Sequence, residues 1–358
     1  MAIRVLIVDD SATARAVLSE ILQGEPSIEV VGTASDAYIA RDKIVDLRPD
    51  VICLDVEMPR MDGITFLKRL MHYMPIPVIM VSSLTQAGAK TTLEALEAGA
   101  VDFVAKPHSN IYDGKDEMRD ELIAKIKVAS KAKVQQRILR NIQQANTTSL
   151  AETTNKILAI GASTGGTEAL KDVLMGLPRN GPGTVIVQHM PANFTGAFAD
   201  RLNSLCAMEV REARNGDSIV PGLVLIAPGD YHMVVRRSGS RYYVEIGSGD
   251  KVSGHRPSAD VLLHSVAKIA GSNSIGVILT GMGGDGARGL LAMRNAGART
   301  LGQDEESCIV YGMPKVAFDL GAVERQLPLH AIAKGILELI SHLTHRSQNL
   351  FYNNGSDI

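Results

Sequence analysis

Val51-Ile52-Cys53-Leu54-Asp55 sets four consecutive apolar side chains in front of a carboxylate. An unbroken apolar run this short, without the alternation of a half-exposed strand, suits a strand buried on both faces. Runs of the same kind recur around it at Val5–Val8, Ile28–Val31, Val78–Val81 and Val101–Ala105. Between them Val17-Leu18 with Ile21-Leu22, Ile39-Ala40 with Ile44-Val45, and Leu67 with Leu70-Met71 repeat at helical spacing. Ser11 and Asp62 stand where helix N-caps are needed, and Gly24 and Gly99 where helices should stop. Strands alternating with helices predict an α/β fold, a doubly wound parallel sheet covered on both faces, over residues 1–121. Cys53, inside the opening run, reads as a small buried hydrophobe.

The strand ends carry the chemistry, because open parallel sheets bind ligands outside the carboxyl ends of their strands. Asp9-Asp10 follow the first run, Asp55 the third, Ser82-Ser83 the fourth and Lys106-Pro107 the fifth. Grouped carboxylates repel unless a cation neutralises them, and their hard oxygens suit Mg²⁺. A phosphoryl group on one carboxylate could be contacted by Lys106 and Ser82. An Asp-Asp pair alone is more often a turn or a cap; four strand ends with matching chemistry reverse that judgement. Residues 4 to about 120 thus resemble a response-regulator receiver domain. The resemblance implies Asp9, Asp10 and Asp55 as metal ligands, Asp55 as phosphoacceptor, and Ser82 and Lys106 as contacts to the phosphoryl group. Phe103 falls where that family carries a switching aromatic, although core packing explains it equally well.

After Pro107 a charged helix is expected from about Lys115 to Leu139, then a polar stretch from Asn141 to Asn155 of linker composition. The expected division is a linker over 122–152, a second domain over 153–346 and a tail over 347–358. The second domain opens on Lys156-Ile157-Leu158-Ala159-Ile160 and again alternates strand with helix, including Thr184–Gln188 and Ser274–Thr280. Leu223–Ala227, Met233–Arg237 and Arg241–Ile246 suggest an antiparallel insertion, the last two joined by Ser238-Gly239-Ser240.

Gly161-Ala162-Ser163-Thr164-Gly165-Gly166 lies between the first strand of this domain and a helix. Such a turn can expose a nucleophilic serine with a backbone N–H nearby for an oxyanion. It equally suits a dinucleotide-binding turn. That alternative wants an acidic residue ending the second strand, where this chain has Gln188-His189-Met190-Pro191. A later strand delivers Gly281-Met282-Gly283-Gly284-Asp285-Gly286, a loop that could also cradle phosphate. Ser163, His189 and Asp285 on three strand ends fit nucleophile, base and orienting acid. Their order differs from the Ser…Asp…His of ordinary α/β hydrolases. His232 and His255, in loops, compete with His189, whereas His264 has helical spacing and suits packing.

Composition narrows the partners. A formal charge of −2 over 358 residues argues against a nucleic-acid or anionic-membrane surface, and the absence of Trp against base stacking. Three dispersed cysteines, Cys53, Cys206 and Cys308, exclude a fully paired disulfide framework and suggest a reducing compartment. Met1-Ala2-Ile3-Arg4 shows no signal-peptide pattern, and no apolar stretch approaches the ~20 residues of a membrane helix. A cytoplasmic protein is expected.

Joined to the receiver-like segment, the GASTGG, QHMP and GMGGDG motifs closely resemble the chemotaxis protein-glutamate methylesterase (CheB) family, over about residues 4 to 345. The resemblance implies a Rossmann-like esterase domain that needs no cofactor, the only one being Mg²⁺ at the receiver. It implies methyl-accepting chemoreceptors as substrate, hydrolysis of their γ-methyl glutamate esters, and deamidation of particular receptor glutamines. It also implies a chemotaxis histidine kinase as phosphodonor and an esterase held back until Asp55 is phosphorylated. Thr164 and Met282 would lie at the oxyanion site, with His255-Arg256-Pro257-Ser258 in a loop near the crevice.

Overall fold

The computed structural model describes residues 2–83, 85–106, 115–132, 134 and 155–352, and the chain separates into two units, Met1–Asn141 and Ile142–Ile358. Most of the polar linker and the last six residues lie outside the described residues. In the first unit β1 (Ile3–Val8), α1 (Ala12–Gln23), β2 (Ile28–Ala34), α2 (Ala37–Leu47) and β3 (Val51–Asp55) alternate. They are followed by α3 (Gly63–Tyr73), β4 (Val78–Ser83), α4 (Gln86–Glu97), β5 (Asp102–Lys106) and α5 (Lys115–Ala129). The five strands form one parallel sheet in the order β2-β1-β3-β4-β5. β3 is buried along its whole length, as its continuous apolar run requires. Ser11 caps α1 by accepting from the Ala14 N–H, and Asp62 caps α3 through Thr65, each satisfying an N–H that the helix leaves orphaned. α5 ends at Ala129, short of the expected Leu139. There the N–H groups of Lys131 and Ala132 bond three residues back, tightening the last turn.

The second unit contains β6 (Ile157–Ala162), α6 (Gly166–Met175), β7 (Gly183–Gln188), α7 (Ala192–Leu205), β8 (Glu209–Glu212) and β9 (Leu223–Ile226). Next come β10 (His232–Ser238), β11 (Arg241–Gly247), α8 (Ala259–Ile269), β12 (Ser274–Ile278) and α9 (Ala287–Asn295). It closes with β13 (Arg299–Gln303), α10 (Met313–Asp319), β14 (Arg325–Leu327) and α11 (Leu329–Tyr352). Seven strands form a parallel sheet in the order β14-β13-β12-β6-β7-β9-β8. The antiparallel insertion is the hairpin β10–β11 alone. Leu223–Ala227, expected as its third strand, instead supplies β9, buried at every residue between β7 and β8. Four consecutive apolar residues suit a covered central strand, whereas an exposed hairpin would alternate. α11 runs on to Tyr352, so residues 347–352, the first half of the expected tail, are helical; no Gly or Pro interrupts them before Gly355. Among the described residues, no helix is long and apolar enough to cross a membrane.

Candidate functional site

In the first sheet the strand order reverses between β1 and β3, so a crevice opens there beyond the carboxyl ends. Asp9 and Asp10 stand at the end of β1 and Asp55 closes β3. One ligand oxygen from each lies within 4.8 Å of the others. Lys106, ending β5, places its ammonium 2.9 Å from Asp9 Oδ2 and 3.1 Å from Asp55 Oδ1. Burial pushes the Asp55 carboxyl up to about 6; Lys106 pulls against this and Asp9 adds to it. For Lys106, burial works to lower the ammonium's pKa, but the two carboxylates outweigh it and raise it. Three hard oxygen donors on so small a perimeter fit a divalent cation. Ser82 is buried on β4, and its hydroxyl is engaged with Thr92 Oγ1 at 2.7 Å and the Gly88 carbonyl at 3.4 Å, both on α4. Phe103 is buried on β5, with the Lys125 ammonium 5.1 Å from its ring centroid.

The second sheet reverses between β6 and β12, with β7 on the other side of β6. Ala162 pairs with Gln188 in the β6–β7 register, so Ser163 and His189 follow as neighbours at adjacent strand ends. Ser163 is tied to the other flank as well, its N–H donating to the Thr280 carbonyl at 3.0 Å. The turn into α6 needs its glycines: Gly165 has φ +76, and a Cβ at Gly166 would collide with Gln188 Oε1. Gly281 approaches the same point, where a Cβ would lie 2.7 Å from Ser163 Cβ. Thr164, buried, follows Ser163, and Met282 follows Gly281.

His189 Nε2 lies 2.8 Å from Asp285 Oδ2, both side chains being almost fully buried. With Asp285 ionised, the proton belongs on Nε2. Among the described residues Nδ1 is buried without a hydrogen-bond partner, which leaves it as the ring's acceptor. Asp285 also accepts from Ser258 Oγ at 2.7 Å and from the N–H groups of Ala259 at 2.7 Å and Asp260 at 3.1 Å. These donors are the N-cap and first turn of α8, whose dipole favours a carboxylate. Burial works to raise the Asp285 pKa, but the hydrogen bonds from His189 and Ser258 hold it below the ordinary range.

The competing histidines separate clearly. His232, which opens β10 instead of lying in a loop, has Nε2 2.9 Å from the Asp250 carbonyl and accepts at Nδ1 from the Ser258 N–H. His264 Nδ1 lies 2.8 Å from the carbonyl of Asp260, one turn back in α8. His255 stacks on His189, ring centroids 3.8 Å apart and planes 11° from parallel. Sequence reasoning missed Gln188, whose amide donates to the carbonyls of Ser163 at 2.9 Å and His189 at 3.2 Å. The signal was a glutamine completing the buried strand Val185-Ile186-Val187.

A receiver-type sheet with an acidic crevice, followed by a parallel-sheet domain that gathers Ser, His and Asp at one switch point, defines a response regulator with a hydrolase output domain. Comparison with known proteins agrees: residues 5–112 match the response regulator receiver domain and residues 158–336 match the CheB methylesterase model. The chain belongs to the CheB methylesterase family. It is 60% identical to the protein-glutamate methylesterase/protein-glutamine glutaminase of Sulfurimonas denitrificans, over 95% of this chain and 99% of that one. It is 53% identical to a protein of the same description from Pseudomonas aeruginosa, over 94% and 97% of the two chains. The crystal structure of the Thermotoga maritima CheB methylesterase catalytic domain aligns with a TM-score of 0.51 and 39% identity, covering 52% of this chain and 99% of that one.

Proposed function

We propose that this chain is a phosphorylation-activated protein-glutamate methylesterase of chemotaxis adaptation, which also deamidates glutamine. Its substrates would be methyl-accepting chemoreceptors, its phosphodonor a chemotaxis histidine kinase and its compartment the cytoplasm. The receiver would extend to about residue 121 and the methylesterase domain begin at about 153. The observation that carries the reading is the His189–Asp285 pair with Nδ1 left as acceptor, beside a serine on the neighbouring strand end.

Ser163 Oγ attacks the ester carbonyl while His189 Nδ1 takes its proton. Asp285 holds the Nε2 edge and stabilises the imidazolium. The N–H groups of Thr164 and Met282 receive the oxyanion. The tetrahedral adduct collapses, methanol leaves with the proton from Nδ1, and the glutamyl group stays on Ser163. Water then attacks with its proton passing to Nδ1, releasing free glutamate side chain and Ser163. With glutamine as substrate, ammonia leaves in place of methanol. At the receiver, Asp55 accepts the phosphoryl group and Lys106 and Ser82 contact its oxygens. Asp9, Asp10 and Asp55 would hold Mg²⁺, which when bound supplies electrostatic stabilisation to that group.

Methanol release from methylated receptor membranes tests the reading, with and without acetyl phosphate and Mg²⁺. Release should rise with the phosphodonor, lose that rise in Asp55→Asn and vanish in Ser163→Ala. No release from the parent chain, or full release from Ser163→Ala, would overturn it.

A further inference from the structure

One loop reaches both His189 and Asp285. Val252 and His255 exchange two backbone hydrogen bonds of 3.0 Å across a two-residue turn. Its central residues, Ser253 at φ 53 and Gly254 at φ 81, are both left-handed, the signature of a type I′ turn. Downstream, the Arg256 carbonyl accepts from the Asp230 N–H at 3.2 Å, and its guanidinium donates to the Gly249 carbonyl at 2.5 Å. Ser258, three residues past His255, donates to Asp285. The backbone carrying His255 is therefore anchored on both sides, and from it the imidazole lies flat on His189.

The contact has two physical effects. Asp285 fixes one edge of the His189 ring, and a single edge contact leaves the ring free to rock about it. A parallel ring 3.8 Å away blocks that rocking and keeps Nδ1 in one direction. When Nδ1 takes a proton, the positive charge on His189 faces the π surface of the His255 ring, an attractive arrangement while that ring is uncharged. Of the charged groups nearby, Asp285 sits at the Nε2 edge, the Arg256 guanidinium donates to the Gly249 carbonyl, and His232 is engaged with Asp250 and Ser258.

We propose that His255 is a positioning residue for the hydrolysis, its stacked ring fixing the plane of His189 and stabilising the imidazolium formed there. The inference rests on His189 being the base, as in the function proposed above.

The test compares the full-length parent, His255→Ala and His255→Phe by methanol release from methylated receptor membranes across pH. Loss of ring orientation should lower kcat in His255→Ala by about ten- to a hundredfold, with KM within about twofold. Its acid limb in kcat/KM should move to lower pH, because the unstacked imidazolium is less stable. His255→Phe restores a flat π face and should recover the greater part of kcat and the parent acid limb. A His255→Ala chain with parental kcat and acid limb overturns the proposal, as does a defect confined to KM or one that phenylalanine fails to rescue. Ser163→Ala serves as control: a parent no more active than this variant refutes the functional reading itself, whereas an active parent with an indifferent His255→Ala refutes only the stacking role.

Discussion

Replacing Asp285 by asparagine keeps the shape of the side chain and removes its charge, so it isolates what the carboxylate does for His189. The bond to Nε2 is 2.8 Å long. Opposite unit charges at that spacing attract by roughly 6 kcal/mol at an effective dielectric of 20, a ceiling because charge is spread over each group. The asparagine must also turn its NH₂ towards one pair of existing donors, either His189 and Ala259 or Ser258 and Asp260. Retaining part of the dipole and losing the ion pair, the variant should give up about 4 kcal/mol of transition-state stabilisation, or about a thousandfold in kcat. Methanol release measures this directly, with KM expected to hold because Asp285 is screened from substrate by His189. Stability gives a second readout. The folded carboxyl lies below its ordinary pKa, so its stabilising contribution is fully present above the unfolded value near ~4 and is lost as pH falls through the lower folded value. The stability gap between parent and variant should therefore be wide at neutral pH and narrow below ~4, as read from denaturant midpoints. An asparagine variant retaining more than a tenth of parental kcat would refute the assignment of Asp285 as the orienting acid.

Gly281→Ala should cost about 1–3 kcal/mol through overpacking, because the added methyl meets Met313 Sδ and lies 2.7 Å from Ser163 Cβ. A thermal melt should drop by several degrees and ester hydrolysis at least tenfold; unchanged values in both would contradict the close approach. Ser258→Ala removes the N-cap of α8 together with one donor to Asp285, so a stability loss of about 1 kcal/mol should accompany a several-fold drop in kcat. Parental kinetics would show that the remaining donors suffice. Burial pushes the thiols of Cys53 and Cys308 up to about 12. At pH 8 neither should react with a thiol reagent until denaturant is added, when both react; prompt labelling of either in the folded chain would disprove their burial.

The strands legible in the sequence were those the fold covers on both sides. Val51-Ile52-Cys53-Leu54 and Ile157-Leu158-Ala159-Ile160 are fully buried and correspondingly apolar. β8, Glu209-Val210-Arg211-Glu212, lies at the sheet edge, and its exposed and half-buried positions take charges that hide it. β14 is three residues long and half-buried throughout, giving no pattern to read. β9 was visible as a strand but not as a parallel one, because pairing direction is set by which neighbours it finds. In the hydrolase domain, residues at the ends of long apolar strands could be placed on one edge from sequence. The His255 contact could not, since loop geometry carries it across the chain. Gln188 was passed over because a glutamine after an apolar run looks like the end of a strand, when it is a donor shared by two turns.

Strand β6, which leads into the Ser163 turn, opens its domain and yet lies at the middle of the sheet, paired on one side with β12. The hydroxyl of Thr280 reaches back across 116 residues to the Thr164 carbonyl beside Ser163. A chain emerging from the ribosome therefore presents Ser163 and its β7 flank early, whereas Asp285 and the second flank, at Thr280, come only once β12 is made. Contacts that distant are slow to close. The Ser163 turn is therefore seated on both flanks only once β12 is in place, so a chain truncated before β12 would carry the glycine-rich turn without the His189–Asp285 pair beside it.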